Sequence, residues 1–280
     1  MVHLQVRVIF IQLIMKRKIN IVCFLFVAAF LLSSCAGQYD KLLKSEDYEL
    51  KYTKAKEYYD LKKYSKAAGL LENQTRVYFR GSPKEDSVLF LLAKSYFEDK
   101  DMYSASESFD QFRNTFPRSP FTEEANMLRI VCLYEQTWRY ELNQKPTLVA
   151  LAAIEEFRYM YPRSAFVEET KKMEEDLTQR LEEKDYEAAK LYYAMEDYRS
   201  ANTTLKLALK NRPDTRYREE ILYLLVISSY KYADNSMLIR QKDRFQTMLD
   251  EYYNFISEFP ESKHRADADK MYASATAKIK

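Results

Sequence analysis

From residue 46 onward, apolar residues recur at spacings of three and four, the period of an amphipathic helix rather than the alternation of a strand. Breakers are scarce, with three glycines and seven prolines in 280 residues. Pro83, Pro117, Pro162, Pro213 and Pro260 fall where one helical block gives way to the next. Proline ends a helix because it lacks the amide donor and crowds the preceding turn. The pattern predicts an all-α chain of about five helical hairpins, over 46–83, 84–120, 121–164, 165–215 and 216–262, then a helical tail at 263–280. Residues 165–195 read as one long charged helix. Upstream lies a different pattern, an apolar block from Ile19 to Leu32.

The hairpins repeat in sequence. AKEYYDLKKYSKAAGLLENQ from Ala55, AKSYFEDKDMYSASESFDQF from Ala93 and AKLYYAMEDYRSANTTLKLA from Ala189 each begin Ala-Lys and carry an aromatic pair at the fourth and fifth places. The third passage is similar to the 34-residue tetratricopeptide pattern. Ala189, Tyr192, Tyr198, Ala201, Leu205, Ala208 and Pro213 fill its small, aromatic, aromatic, small, large, small and proline places. Small residues let neighbouring helices approach, and stacked repeats bury one continuous core. The helical ends also recur, as Phe116-Pro117-Arg118-Ser119, Tyr161-Pro162-Arg163-Ser164 and Phe259-Pro260-Glu261-Ser262. There the aromatic packs back on the finished helix and the serine caps the next. These features point to a tetratricopeptide-repeat superhelix, an α-α solenoid, with N-terminal repeats over 46–164 and C-terminal repeats over 165–262.

The first residues carry only cations (Arg7, Lys16, Arg17, Lys18) and no carboxylate before Cys35. With the apolar block, about 14 residues long, and the small pair Ser33-Ser34, this reads as a cleaved secretory leader over 1–34. The block is too short to span a bilayer, which takes about 20 apolar residues. A cut between Ser34 and Cys35 resembles a bacterial lipobox, in which the Cys35 thiol is acylated. Residues 35–45 would then be a flexible tether. Met15-Lys16-Arg17-Lys18 is itself a normal leader start, so either Met1 or Met15 fits. Ala36, rather than Asp, follows Cys35, and no acidic run follows it. Both points favour the periplasmic face of the outer membrane.

The leader holds four of the 44 Lys+Arg and none of the 42 Asp+Glu, leaving the mature chain at 40 against 42 and a net charge near −2. No clustered basic excess invites nucleic acid. His264 is the only histidine past the leader, and reads as a solvated surface residue. Cys132, the one thiol left once Cys35 is acylated, reads as a small buried hydrophobe. Metal sites and catalytic triads want more histidine and cysteine than this. Gly37, Gly69 and Gly81 are too far apart to cradle a phosphate. The pairs Glu123-Glu124, Glu168-Glu169 and Glu174-Glu175 read as solvated helix faces. A non-enzymatic chain without metal or cofactor is expected.

One recurring triplet suggests a ligand. Tyr52/Lys56/Tyr59, Phe90/Lys94/Phe97 and Tyr186/Lys190/Tyr193 place an aromatic, a lysine and an aromatic on one face of each first helix, by spacings of four and three. Pairs three and five break it, with Leu128/Cys132/Glu135 and Leu224/Ser228/Lys231. A lysine between rings suits an extended peptide ending in an aromatic and a carboxylate. Equally, the rings are inter-helix packing and the lysines lie over them.

The leader with its lipobox, the five pairs, the aromatic-Pro-x-Ser ends and the long fourth first-helix together resemble the BamD-type family. These are outer-membrane-protein assembly factors, lipoproteins of the β-barrel assembly machinery. The resemblance covers about residues 35–262 and is strongest at 185–215, where Asn202-Thr203 departs from the family's usual Asn-Arg. It implies a scaffold that docks on the periplasmic repeats of the barrel-forming insertase, beside other lipoproteins of the machinery. In the family the C-terminal repeats make that contact and the N-terminal ones face unfolded barrel precursors and their C-termini. A scaffold for cell-wall hydrolases and a glycan- or nutrient-binding lipoprotein remain open, although the single tryptophan, Trp138, counts against the last.

Overall fold

The computed structural model describes residues 37–279, so Ser34, Cys35 and the rest of the leader lie outside it. Among the described residues all regular structure is helical. Residues 37–44 are helical (α1), followed by α2 (Tyr48–Asp60), α3 (Tyr64–Leu71), the short α4 (Gln74–Tyr78), α5 (Glu85–Glu98) and α6 (Met102–Thr115). Then come α7 (Thr122–Glu135), α8 (Lys145–Met160), α9 (Val167–Ala194), α10 (Tyr198–Asn211), α11 (Arg218–Asp234), α12 (Leu238–Glu258) and α13 (Arg265–Ile279). Of the five expected hairpins, the first, second, fourth and fifth form as α2/α3, α5/α6, α9/α10 and α11/α12, whereas the third pair, α7 and α8, straddles the division between two compact units. The helix over 165–195 is continuous as α9, 28 residues long. Two compact units divide between Cys132 and Leu133, inside α7, not at 164/165 where the repeats suggested a boundary.

Every hairpin ends alike. The backbone amides of Ser82, Ser119, Ser164, Thr215 and Ser262 donate to the carbonyls of Phe79, Phe116, Tyr161, Arg212 and Phe259 at 2.9–3.2 Å. Each hydroxyl in turn accepts the amide two residues on, at 3.1–3.3 Å, from Lys84, Phe121, Phe166, Tyr217 and His264. Side-chain oxygens placed this way fix the turn and start the next helix. The serine also reaches back: Ser119 donates to Asp86 at 2.9 Å and Ser262 to Glu219 at 2.6 Å. Asp86 and Glu219 sit in first turns, as do Glu123-Glu124 and Glu168-Glu169. These acidic pairs therefore oppose the positive helix end, a sharper role than a solvated face.

Within hairpins one, two and four the turn is also shared. Lys62, Lys100 and Glu196 adopt φ of 57°, 67° and 61°, the left-handed region. The next residue's amide bonds back five positions, Lys63 to Tyr58, Asp101 to Tyr96 and Asp197 to Tyr192, at 2.8–3.0 Å. This closes a Schellman motif. Asp101 and Asp197 then cap α6 and α10 by accepting from Ser104 and Ser200.

The cores are aromatic and alanine-rich. In the first unit Ala55, Leu71, Phe79 and Val88 pack as one cluster, and Phe90, Ala93, Phe109, Phe112, Ala125 and Cys132 as another. In the second unit Ala189, Leu205, Ala208, Phe245, Met248 and Phe255 share a core. Ala189, Ala201 and Leu205 are fully buried, and Ala208 and Tyr198 nearly so. Tyr192, assigned a packing role by the repeat pattern, is instead exposed, and Pro213 sits exposed in the turn after α10. The flexible tether over 35–45 is corrected in its described part. Tyr39 of α1 sets its ring edge-on to Tyr58 at 5.6 Å and donates its hydroxyl to the Lys66 carbonyl at 3.1 Å. Gly69 makes this possible, since a Cβ there would lie 2.6 Å from the Tyr39 oxygen.

Candidate functional site

The first residue of each triplet packs against a ring at or just past the end of its own hairpin. Tyr52 meets Phe79 edge-on at 5.5 Å, Phe90 stacks on Phe121 at 4.8 Å and Tyr186 stacks on Tyr217 at 4.7 Å. The third residue meets the second helix of its hairpin: Tyr59 on Tyr64, Phe97 on Phe109 and Tyr193 on Tyr198, at 5.2–6.4 Å. The central lysine lies over the ring four residues earlier, with Nζ 4.6 Å from Tyr52, 5.5 Å from Phe90 and 5.1 Å from Tyr186. Such cation–π contacts are worth about 0.5–1 kcal/mol where solvent reaches them. All six rings are thus half-committed to packing. The first two triplets belong to the first unit and the third to the second.

The three lysines differ in what else they touch. Lys94 pairs with Glu124 of α7 at 2.9 Å, and Lys190 with Glu187, one turn earlier, at 2.7 Å. The hydrogen bond to Glu187 raises the Lys190 pKa. Lys56 is exposed and meets no carboxylate among the described residues. Burial, and then the nearby Glu98, pushes the Tyr59 phenol up to about 12. Burial raises Tyr52, Tyr186 and Tyr193 as well. At neutral pH these phenols stay protonated, offering apolar faces and hydrogen-bond donors. The arrangement suits recognition through rings, hydroxyls and one available ammonium.

The fifth hairpin has a register that the sequence pattern missed by one residue. Tyr223, not Leu224, takes the first place: its ring stacks on His264 at 4.0 Å, as Tyr186 does on Tyr217, and its hydroxyl donates to Asp267. Ile227 stands where hairpins one, two and four have lysine, and Tyr230 packs on Phe245 at 5.7 Å as the third residue. Leu224 and Ser228 are buried instead. His264 is therefore half-buried under a ring, not a solvated surface residue. A longer motif carries the signal, with a ring two places after the serine or threonine: Ser119-Pro120-Phe121, Ser164-Ala165-Phe166, Thr215-Arg216-Tyr217 and Ser262-Lys263-His264. Counting six onward from Tyr217 gives Tyr223.

Tyrosine hydroxyls also tie neighbouring helices through carboxylates. Tyr96 donates to Glu72 at 2.6 Å, Tyr134 to Asp176 at 2.8 Å and Tyr252 to Asp269 at 2.6 Å. Each of these phenols is raised, first by burial and then by its carboxylate, Tyr252 to about 12. Among the described residues no group of three His, Cys, Asp or Glu is placed to hold a metal ion, and no helix is long and apolar enough to cross a membrane.

A family model described as YfiO, outer membrane lipoprotein, matches residues 45–194 and 182–279. Among solved structures, the chain is similar to a thermophilic TPR protein from Thermus thermophilus. That likeness has 20% identity and a TM-score of 0.31, covering 82% of this chain and 99% of the other. No curated protein gives a significant match.

Proposed function

Because the chain belongs to the YfiO family of outer-membrane lipoproteins, the BamD-type assembly factors, we propose that it acts as a non-enzymatic scaffold of β-barrel assembly. Acylated at Cys35 and cut after Ser34, it stands on the periplasmic face of the outer membrane. It works by protein–protein contacts, docking on the periplasmic repeats of the barrel-forming insertase beside other lipoproteins of the machinery. Unfolded barrel precursors are its passengers. The observation that carries this reading is the family match, which runs from α2 to the final helix α13.

What the chain supplies is rigidity with an aromatic surface. Five identical hydroxyl-capped turns and the tyrosine–carboxylate ties hold neighbouring helices in fixed register within each unit. On that frame Tyr52, Lys56 and Tyr59 form the candidate peptide contact with an unpaired ammonium, next to Phe90, Lys94 and Phe97 of the same unit. A peptide ending in an aromatic residue and a carboxylate would set its ring on Tyr52 or Tyr59 and its anion on Lys56. Tyr186, Lys190 and Tyr193 form the corresponding surface of the second unit.

Co-purification of the acylated protein from membranes tests the reading. The expected partner is a barrel-forming insertase. A TonB-dependent transporter or a murein hydrolase in its place would overturn it. Cys35→Ser should leave protein that no longer floats with outer membranes, and flotation that survives a high-salt wash would remove the lipid anchor from the account.

A further inference from the structure

We propose that the second unit carries a phospholipid-binding site, with a cationic cavity between α10, α11 and α12 for the phosphate and an apolar tip at the start of α12 for the acyl boundary. The cavity holds about 260 Å³ and is lined by Arg199, Lys206 and Arg244 together with Asn202, Thr203 and Tyr232, and no carboxylate lines it. Arg244 is pre-oriented: its guanidinium carbon sits over the Tyr232 ring at 4.0 Å from the centroid, and the group donates to the Ser236 hydroxyl. A planar guanidinium fixed in this way presents its fork to a phosphate without losing further freedom. Asn202 accepts from the buried Ser228, which sets the opposite wall. Lys206 is shared with Glu251 at 2.6 Å, whereas Arg199 is exposed and makes no ion pair among the described residues.

The second observation is independent of the first. Met237, Leu238 and Ile239 are 75%, 85% and 83% exposed, consecutive, and begin one residue after the Ser236 that Arg244 holds. Three neighbouring aliphatic or thioether side chains this bare demand an explanation that scattered single ones do not. Arg240 lies one turn before Arg244 on the same stripe of α12, and both Arg240 and Lys242 are exposed. An oxyanion cavity beside a protruding aliphatic tip is the complement of an amphiphile with a phosphate head. A protein partner is the weaker fit, because the tip protrudes and lacks the tryptophan and tyrosine anchors that dominate protein interfaces. Membership of an outer-membrane lipoprotein family puts a phospholipid surface within reach.

The test uses the acylated chain carrying Leu238→Cys, labelled with an environment-sensitive fluorophore, in vesicles of phosphatidylcholine with or without phosphatidylglycerol. A label at Tyr159→Cys, 88% exposed on α8, serves as control. The label at 238 should shift to the blue and be quenched by brominated acyl chains when phosphatidylglycerol is present, while the label at 159 stays in water. Arg199→Ala with Arg240→Ala should weaken this partitioning about 25-fold, since each basic residue near an anionic surface contributes roughly fivefold. High salt should do the same. An unquenched label at 238, or equal quenching in phosphatidylcholine alone, overturns the proposal. So does a site that binds inorganic phosphate while the label remains in water, which is a soluble-anion site. Burial of the label only on adding membrane proteins assigns the tip to a protein partner instead. Failure to float with any vesicle would refute the anchor, a different result from floating with an unquenched tip.

Discussion

Tyr223 is the residue on which the fifth hairpin turns, and removing its hydroxyl alone should have a pH-dependent cost. Its phenol donates to Asp267 of α13, its ring stacks on His264 at 4.0 Å and leans on Phe255 at 5.9 Å. Tyr223→Phe keeps both ring contacts. A hydrogen bond to a charged acceptor is worth about 1.5–3 kcal/mol. Both Tyr223 and Asp267 are only half-buried, so solvent screening reduces this to about 1 kcal/mol. At neutral pH the variant should be less stable by that amount.

The sign of the pH dependence follows from the direction of the shift. Burial raises the Tyr223 pKa above 10.0, and the hydrogen bond and charge of Asp267 raise it further. The folded state therefore favours the neutral phenol, a stabilisation fully present below the unfolded pKa and lost as pH rises through the folded one. At about pH 11 the unfolded parent gains up to about 1.4 kcal/mol by ionising this phenol, about 1 kcal/mol after screening, and the phenylalanine variant gains nothing. The gap between parent and variant should close. Other raised tyrosines are common to both proteins and cancel. Urea unfolding followed by the single tryptophan, Trp138, reads the same unit. A gap that stays constant from neutral pH to about pH 11 would refute the argument.

Three further outcomes are expected. Ala201→Arg forces a long cation into a fully buried site of α10, where overpacking costs about 1–3 kcal/mol and an unpaired charge more; unchanged thermal unfolding would sink the packing argument. Glu196→Gly relieves a left-handed φ of 61° at a Schellman turn and should stabilise by about 0.5–1 kcal/mol, with a loss of stability counting against it. Lys56→Glu reverses an exposed ammonium and should move stability by no more than about 0.5 kcal/mol. It should nevertheless weaken binding of peptides that end in an aromatic and a free carboxylate, and equal binding of amidated and free-acid peptides would remove Lys56 as the anion receiver.

Much of the fold was legible because helix ends are written locally. The prolines and serines of each closure and the alanines at 189 and 201 each act within one or two turns of their own position. The hairpin order follows from them. Two features escaped because they depend on distant partners. Tyr39 looks like part of a polar tether, yet it docks because Gly69, 30 residues on, leaves room for its hydroxyl. The left-handed residues Lys62, Lys100 and Glu196 carry no sign of their conformation, since glycine would be the expected choice there. Tertiary closure of the turn imposes it.

The candidate site shows the limit of spacing as a guide. A period of four and three places Tyr186, Lys190 and Tyr193 on one helix face, but both packing and ligand binding need that placement. Geometry separates the two demands. The rings point to neighbours in their own hairpins or just past the turns that close them, so they would be retained for stability with no ligand at all, and Lys94 and Lys190 each meet a carboxylate. Lys56 has the same spacing and no such partner. The fifth hairpin makes the same division from the other side: it keeps both rings, Tyr223 and Tyr230, while the lysine is replaced by Ile227. Rings recur in the first, second, fourth and fifth hairpins because those hairpins close on them, and the central position varies because closure does not use it. A function carried by this face must therefore rest on that central position, and Lys56 is the place where it can be separated from folding.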